Sequence, residues 1–446
     1  MTAAVTAPAR RVAFISQCLG RIVPPKAEGS IATWTYETAR HLCRDHPVLL
    51  IECGERPFRS SRVQHEGIAC FYVPTAINRV VNALHSRWSR LWNRVRHAEP
   101  SRLRPAYTSI FHNLGFSIQA AWAARRWRAD VIHVHNFSQF VPVMRLFNPS
   151  ARIVIHMNCE WLSQHEPRMI ARRLESVDAI VGCAAHIIRK IVARFPNVAP
   201  KCHVVFNGAN VERFVPCAQS VAAEPPSPLR ILFVGRVSPE KGVHLLVEAF
   251  KTVAAKYPTA QLDLVGGVGS LSADFLVALS DDPHVRSLET FYRSDYFAHL
   301  QGLLPDDLKA RVHFHGDVTH GELATHYARA TVFVSASLSD AFPLTVVEAM
   351  AAGLPIAGSA VGGVPEAVVD ELTGLLAEPN SADALASALC RLLADGSLRQ
   401  RMALEARQRA LRLFSWRAIA DTVAEVYRGA PRTEARQMLI VETTAG

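Results

Sequence analysis

Two carboxylates flank a predicted junction between a loop and a helix. Seven residues separate Asp340 from Glu348, and the run from Leu344 to Ala352 is rich in helix formers. A helix that begins near Leu344 presents free backbone N–H groups, which suit a phosphate, and places Glu348 where it accepts hydrogen bonds from hydroxyls. We therefore expect a pocket with one acid for a sugar ring, N–H groups for a diphosphate and a second acid for a ribose.

Two basic residues lie in a second predicted loop, within F-V-G-R-V-S-P-E-K-G at 233–242. Arg236 binds phosphate oxygens as a planar fork and Lys241 binds them as a point charge, so the pair suits a diphosphate. Gly235 lets the backbone come close to a ligand. Alone, this spacing also fits a solvated surface loop, but the acids at 340 and 348 favour the phosphate interpretation.

Taken in order, these motifs resemble those of the retaining glycosyltransferases of family 4, or glycosyl transferases group 1, and of bacterial members of the spore coat protein SA type. The acids resemble the E-x7-E signature of that family, and the basic loop resembles its phosphate-binding Arg and Lys. N-G-A-N at 207–210 with Phe214 and Pro216, and G-G-V-P-E at 362–366, resemble two further motifs. The resemblance covers the chain from about Arg11 to Tyr427.

The resemblance implies an α/β, GT-B fold, in which two Rossmann-like doubly wound domains face a cleft. It implies a metal-independent, retaining hexosyltransferase that needs no cofactor beyond its nucleoside-diphosphate-sugar donor. It assigns catalytic roles to His156, Asp340, Arg236 and Lys241. It assigns donor binding to the following residues: Gly29, Gly235, Phe342, Pro343, Leu344, Thr345 and Glu348.

Three positions depart from the usual family pattern. Asp340 stands where Glu is most common, Pro343 stands where Gly is frequent, and Glu28-Gly29-Ser30 stands where many members have Gly-Gly. Asp340 shortens the side chain by one methylene, so we expect a different sugar selectivity. Gly29 also fits a simple turn, and Gly362-Gly363 fits either a turn or a loop of backbone donors near the sugar.

Histidines end two predicted strands of the first half. His156 follows R-I-V-I, at the edge where doubly wound sheets bind ligands, and by the resemblance it faces the transferred sugar. The alternative is an ordinary histidine that caps a strand. His133 and His135 form a His-x-His pattern, for which we predict a structural role because no third metal ligand follows at a telling spacing.

Alternating strand and helix patterns divide the chain into two parallel α/β domains. We predict an acceptor-side domain at 1–216, a linker rich in small residues and proline at 217–228, and a donor-binding domain at 229–413. A helix at 414–430 crosses back to the first domain, and 431–446 is a tail. The predicted strands are 12–16, 48–53, 68–73, 131–134, 153–156, 179–182 and 203–206, then 231–234, 261–265, 312–315, 331–334 and 355–357. Residues 268–310 are long for one crossover and predict an added excursion.

Composition limits the function class and the location. The chain has 446 residues and a net charge of +10, but residues 1–216 hold 29 Lys and Arg against 13 Asp and Glu, a balance of +16. Such a basic half suits an anionic membrane face or an acidic acceptor, and nucleic acid is not favoured because no nucleic-acid-binding motif occurs. Nine cysteines without C-x-x-C, and no apolar run of eighteen, predict a cytoplasmic protein.

A basic amphipathic helix is predicted within residues 81–96. Its apolar residues recur every three or four positions and include Trp88 and Trp92, with Arg87, Arg90 and Arg94 between them. Such a stripe either packs against the first sheet or lies at a lipid interface.

The sequence therefore predicts a glycosyltransferase that acts on a lipid-linked or polysaccharide acceptor in cell-surface polysaccharide biosynthesis, peripheral to the inner face of the plasma membrane. Partners are the nucleotide-sugar donor, that acceptor and an anionic membrane surface. The alternatives are a non-catalytic nucleotide-sugar-binding protein, an epimerase or phosphorylase of the same fold, and a transferase for a small soluble acceptor.

Overall fold

The computed structural model of the chain describes residues 8–18, 21–23, 29–96, 106–217, 228–269 and 272–429. Side chains at 89–96 and 320 are outside this description. The predicted tail at 431–446 and most of the predicted linker, 218–227, also lie outside the described residues. The predicted domain limits therefore stay predictions.

The described residues form two compact units. The first contains the residues up to Cys183, then Ile187–Val205, and the chain from Ile419 onward. The second contains Ala184–His186 and Phe206–Ala418.

The first unit is built on an eight-stranded sheet in the order β3-β4-β2-β1-β5-β6-β7-β8. All neighbours are parallel except the edge pair β3 and β4, which is antiparallel. The central strands are fully buried because helices cover both faces, as their unbroken apolar runs indicate. The strands are β1 (Val12–Ile15), β2 (Val48–Cys53), β3 (Ser61–His65), β4 (Ile68–Val73), β5 (Val131–His135), β6 (Arg152–Met157), β7 (Ala179–Gly182) and β8 (Cys202–Val204).

The second unit is built on a six-stranded, fully parallel sheet in the order β11-β10-β9-β12-β13-β14. The chain order therefore reverses at the pair β9 and β12, the arrangement of a doubly wound fold. The strands are β9 (Arg230–Val234), β10 (Gln261–Val265), β11 (Val312–Gly316), β12 (Val332–Ser335), β13 (Ile356–Ser359) and β14 (Gly374–Ala377).

Helices connect the strands of both sheets. The helices of the first unit's chain segments are α1 (Gly29–Leu42), α2 (Ala76–Arg96), α3 (Leu114–Trp127), α4 (Phe140–Phe147), α5 (Trp161–Gln164), α6 (Pro167–Glu175) and α7 (Ala185–Arg194). Those that follow are α8 (Val243–Lys256), α9 (Pro283–Ser287), α10 (Glu289–Tyr292), α11 (Tyr296–Leu303), α12 (Asp306–Lys309), α13 (His320–Arg329), α14 (Leu344–Ala351), α15 (Val364–Ala367), α16 (Ala382–Ala394), α17 (Gly396–Arg409) and α18 (Trp416–Arg428).

The α/β class with two doubly wound sheets is confirmed, and most predicted strands agree within two residues. The pattern missed β3, in which exposed Val63 is the one apolar residue, and it missed the short strand β14. The predicted excursion consists of the short helices α9–α12. Its aromatic residues pack against the start of α8, where the Tyr296 hydroxyl meets both the backbone N–H and the ring of His244.

The N-G-A-N motif packs inside the second unit. The side-chain amide of Asn207 donates to the carbonyl of Phe342 at 2.8 Å. Gly208 lies against the Trp416 indole so closely that a Cβ there would fall 2.5 Å from a ring carbon. This motif therefore supports the loop before α14 from behind.

The last helix brings its C-terminal part into the first unit. Arg152 donates to the carbonyl of Val426 at 3.1 Å, and Arg10 donates to that of Tyr427 at 2.7 Å. These bonds satisfy carbonyls that the end of α18 leaves without an intrahelical partner.

Gly242 offers a test of backbone geometry next to the basic loop. Its φ is +65°, and a Cβ would overlap the carbonyl oxygen of Ala336. We expect Gly242→Ala to lower the free energy of unfolding by about 2 kcal/mol or more, because left-handed backbone alone costs about 1–2 kcal/mol for other residues. Urea unfolding measures this change.

Gly302 is the matched control, since it lies inside α11 with open space around its Cα. There alanine should stabilise by about 0.5–1 kcal/mol. Equal stabilities of the two variants would contradict the predicted clash.

Candidate functional site

Two loops of the second unit meet where β9 and β12 end. Because these strands are parallel neighbours, the segments that leave them emerge at the same edge of the sheet. One is the basic loop, 235–242, and the other is the acidic loop, 336–343. The structure therefore brings together six of the predicted residues: Gly235, Arg236, Lys241, Asp340, Phe342 and Pro343.

The basic loop holds Arg236 through a buried acid. A guanidinium nitrogen of Arg236 lies 3.0 Å from Glu240 Oε1, while 42% of the arginine side chain stays exposed. The other oxygen, Glu240 Oε2, accepts from the hydroxyl of Tyr292 on α10 at 3.0 Å. The guanidinium is thus restrained but still open to solvent. Gly235, with φ at +154°, leaves β9 at a backbone angle that favours glycine.

Lys241 and Asp340 form the closest contact between the loops. Lys241 Nζ lies 2.5 Å from Asp340 Oδ2, which also accepts from the Ser337 hydroxyl at 3.3 Å. Their side chains are mostly buried, so water weakens this ion pair less than one on the surface. A diphosphate that binds Lys241 must compete with the Asp340 carboxylate.

Gly362 and Gly363 fix the backbone of the acidic loop. A Cβ on Gly362 would overlap the carbonyl oxygen of Asp340, and Gly363 donates its N–H to the same oxygen at 3.2 Å. Of the two predicted roles, the structure shows a close-packed turn that supports Asp340.

The junction between the acidic loop and α14 has a buried and an accessible side. Phe342 is buried and stacks on Phe206, with ring centroids 5.0 Å apart. Pro343 is extended and precedes the first helical residue. Leu344 and Thr345 are half-buried at the helix start, where backbone N–H groups lack intrahelical partners. This end of α14 is therefore a candidate phosphate contact.

Glu348 lies one turn into α14 and is buried. Its Oε2 accepts from the hydroxyl of Tyr327 on α13 at 3.0 Å. Burial raises the pKa of Glu348 to about 8, although the Tyr327 hydrogen bond and the Arg213 charge lower it. In the ligand-free protein at neutral pH the carboxyl is therefore mostly protonated.

Of the two predicted residues in the first unit, Gly29 lies at the start of a helix and His156 lies near the end of a strand. Gly29 begins α1 with φ at +84°, a conformation that favours glycine. His156 lies near the end of β6 beside His135 of β5, and it is fully buried beneath the Trp34 indole, whose centroid lies 4.5 Å from the imidazole.

His156 belongs to a buried group that we call the histidine cluster: His133, His135 and His156. His133 Nδ1 lies 2.8 Å from the Tyr427 hydroxyl, and His133 Nε2 lies 3.2 Å from His156 Nδ1. His135 Nε2 lies 3.1 Å from Thr35 Oγ1, and its Nδ1 lies 3.2 Å from the Asn158 amide. Burial lowers the pKa of all three rings, that of His135 to about 3, so they are neutral at pH 7.

Among the described residues, the histidine cluster is the group that could hold a metal ion. One nitrogen from each ring lies within 4.8 Å of the others. Ligands of a tetrahedral zinc at 2.0–2.1 Å would be roughly 3.3 Å apart. Five of the six ring nitrogens already have hydrogen-bond partners, so a metal would have to break at least two of these bonds.

Three supporting residues were not predicted from the sequence. Glu240 stood within the basic motif, but nothing in P-E-K told a buried acid from an exposed one. Tyr292 and Tyr327 come from helices 52 and 21 residues away from their partners. Single tyrosines at such distances leave no periodic signal.

Both halves of the chain match known family models. Residues 31–213 match the model described as Glycosyltransferase Family 4, and residues 219–409 match the one described as Glycosyl transferases group 1.

Individual proteins and solved structures are also similar to this chain over most of its length. D-inositol 3-phosphate glycosyltransferase of Streptomyces bingchenggensis is 30% identical over 341 residues, which is 74% of this chain and 68% of the relative. Spore coat protein SA of Bacillus subtilis is 26% identical over 323 residues, 68% of this chain and 79% of the relative. The crystal structure of Anabaena HepE in complex with UDP and glucose superposes with a TM-score of 0.63 at 16% identity, covering 94% of this chain and 99% of HepE.

The raised pKa of Glu348 predicts a pH-dependent stability. Between the ordinary range of a glutamate and about pH 8, the unfolded chain loses this proton while the folded protein keeps it. This group therefore makes the fold less stable as pH rises, by at most about 1.4 kcal/mol per pH unit. Glu348→Gln removes this ionisable group. The free energy of unfolding of the variant, relative to wild type, should therefore increase from pH 5 to pH 8 in urea unfolding.

The control is Glu248→Gln, which changes a half-exposed acid on α8 that pairs with Lys251. Its difference from wild type should stay constant over that range. Parallel wild-type and Glu348→Gln curves would show that Glu348 ionises normally.

Proposed function

We propose an acceptor and a location for this chain, which belongs to the glycosyl transferases group 1 family of retaining, GT-B-fold enzymes that use nucleotide-sugar donors. The proposed acceptor is a lipid-linked or polysaccharide glycan in cell-surface polysaccharide biosynthesis. The proposed location is cytoplasmic, peripheral to the inner face of the plasma membrane.

The meeting of the basic and acidic loops carries the proposal for the donor. Arg236 and Lys241 would bind the diphosphate together with the N–H groups at Leu344 and Thr345. Glu348 would bind the ribose. These groups are fixed by the surrounding fold, so they stabilise the charge on the departing diphosphate with little reorganisation.

Asp340 and His156 are proposed to orient the sugar hydroxyls. The bond between the anomeric carbon and the diphosphate oxygen breaks, and a new bond forms to an acceptor hydroxyl on the same face. The acceptor proton goes to the departing phosphate oxygen. This scheme uses no protein base and routes no step through a metal ion.

Replacing either cation should weaken donor use. We expect Arg236→Ala and Lys241→Ala each to lower kcat/KM by at least about tenfold, which corresponds to about 1.4 kcal/mol of lost charge stabilisation. UDP is the first nucleotide to test, since HepE binds it. Calorimetry with UDP, GDP, ADP, CDP and dTDP would identify the base before kinetics begin.

Lys251→Ala is the matched control, because it removes an ion-paired cation from the same unit on α8. It should leave both affinity and rate unchanged. Wild-type behaviour of both loop variants would refute the phosphate assignment, and donor binding without transfer would favour a non-catalytic binding protein.

The membrane proposal rests on the surface of α2. Its apolar residues Ile77, Val80, Leu84 and Trp88 are 57%, 59%, 61% and 64% exposed. Their spacing of three or four residues places them on one side of the helix. Trp92 lies outside the described side chains. Among the described residues of the predicted stripe at 81–96, Leu84 and Trp88 are exposed and Val81 is half-buried.

The inner side of α2 is polar. Asn78 and Asn82 both donate to the side chain of Asn113, at 2.9 and 2.8 Å. The helix therefore turns amides toward the protein and apolar side chains outward. No helix in the described part of the chain is long and apolar enough to cross a bilayer.

An anionic lipid surface is the occupant that fits this stripe. Exposed arginines, among them Arg79 and Arg87, flank the apolar side chains, and residues 1–216 carry a balance of +16. Apolar side chains that enter the lipid interface and arginines that meet anionic headgroups act together in such helices.

Vesicle co-sedimentation tests this surface. We expect wild type to pellet with vesicles that contain anionic lipid at low salt. It should dissociate as salt is added, because salt screens the attraction that contributes about 1 kcal/mol of binding free energy per basic residue. A Leu84→Ser/Trp88→Ser variant and an Arg87/Arg90/Arg94→Glu variant should both stay in the supernatant.

The control is Leu146→Ser, which removes a leucine that is 76% exposed on α4. It should pellet like wild type. If wild type stays in solution at low salt, or all variants pellet equally, the membrane proposal fails and a small soluble acceptor becomes the better candidate.

A further inference from the structure

One ring nitrogen of the histidine cluster has no partner among the described residues. It is Nε2 of His156, and it is buried. A buried polar group without a hydrogen bond destabilises the folded state, so its presence needs an explanation. The hydrogen bonds on the other side of the ring determine what this nitrogen presents.

The hydroxyl of Tyr427 sets the tautomer of His133. Burial raises the pKa of Tyr427 well above its ordinary value, so the hydroxyl keeps its hydrogen. Among the described residues, its hydrogen-bond partner is His133 Nδ1, at 2.8 Å. A buried hydroxyl donates where it can, so His133 Nδ1 accepts. The one hydrogen of the neutral His133 ring is therefore on Nε2.

His133 in turn sets the tautomer of His156. His133 Nε2–H points to His156 Nδ1 at 3.2 Å, so that nitrogen accepts. The neutral His156 ring then carries its hydrogen on Nε2, the nitrogen without a partner.

Both ring nitrogens of His135 bond to other side chains, so His135 does not hydrogen-bond to His156. Thr35 donates its hydroxyl hydrogen to the carbonyl of Ile31 at 2.7 Å, so Thr35 Oγ1 accepts from His135 Nε2–H. The Asn158 amide donates to His135 Nδ1. Both nitrogens of His135 are satisfied.

We infer that Tyr427, acting through His133, is a positioning residue that makes His156 Nε2 a hydrogen-bond donor reserved for a ligand oxygen. The chemical class of that ligand rests on the proposed function, in which His156 contacts a hydroxyl of the transferred sugar. The Trp34 indole packs edge-to-face on the imidazole, with ring centroids 4.5 Å apart, and helps to fix the ring. The control of the tautomer does not depend on the ligand.

The tautomer is measured directly by nitrogen-15 NMR of histidine-labelled protein, with His156 assigned from a His156→Gln variant. Wild type should show the hydrogen of His156 on Nε2. Tyr427→Phe removes the hydroxyl that sets the direction of the hydrogen bonds from Tyr427 through His133 to His156. The His156 ring should therefore shift to a mixture of tautomers or to the Nδ1–H form. A wild-type His156 with its hydrogen on Nδ1 would overturn the inference.

Thr35→Val is the matched control, because it deletes another buried hydroxyl from the same cluster. It should change the His135 signals and leave the His156 tautomer intact. If Tyr427→Phe does not fold, His133→Leu and His133→Gln replace it. The glutamine amide can still donate to His156 Nδ1, so it should keep the Nε2–H form that leucine loses.

Measurements of kcat/KM test the role of His156 in ligand binding separately from its tautomer. Loss of one net hydrogen bond corresponds to about a two- to tenfold fall in kcat/KM, which we expect for Tyr427→Phe but not for Thr35→Val. A shifted tautomer with unchanged kcat/KM would overturn the ligand role. Failure of the proposed function itself would appear instead as wild-type rates in Arg236→Ala and Lys241→Ala.

Zinc titration followed by the same NMR signals distinguishes a metal site. We expect no change in the signals of the histidine cluster. Shifts of all three rings at stoichiometric zinc would replace the hydrogen-bonded arrangement with metal coordination and overturn the inference.

Discussion

The parallel pairing of β9 with β12 is the constraint on which the candidate site depends. The chain order of the second sheet reverses at this pair, so loops from segments about a hundred residues apart leave the same edge. Lys241 and Asp340 can then form an ion pair at 2.5 Å. Gly242 and Gly362 allow this close approach, since a side chain at either position would overlap a backbone carbonyl of the acidic loop.

Burial controls charge at two separate places. In the second unit, burial raises the pKa of Glu348 to about 8, and a tyrosine hydroxyl supplies its hydrogen bond. In the first unit, burial keeps three histidines neutral, and Tyr427 again supplies the donor. The direction differs because desolvation disfavours the charged form, which is the deprotonated state of an acid and the protonated state of a histidine. Each tyrosine bonds to a group that the proposed function assigns to ligand binding.

On the surface of the first unit, α2 exposes apolar side chains that would be buried in the core. Most apolar side chains in the sheet are buried, yet α2 directs two asparagines inward and a leucine and a tryptophan outward. An exposed apolar stripe of this kind supports the proposed interaction surface. The positive charge of residues 1–216 favours an anionic partner in that proposal.

The sequence alone determined the fold class, the family and the chemical types at the site. Apolar runs bounded by turns predict strands wherever both faces of a strand are buried, and the basic and acidic motifs are local in the chain. The sequence pattern missed β3, in which Val63 is the one apolar residue and no apolar run occurs, and it left α2 open between packing and lipid contact. The tertiary structure decided which groups pair. Tyr292 reaches Glu240, Tyr327 reaches Glu348, and Tyr427 reaches His133, each across many residues of chain. Hydrogen-bond partners at such separations depend on how helices pack on the sheets, and a single tyrosine has no sequence period that encodes it.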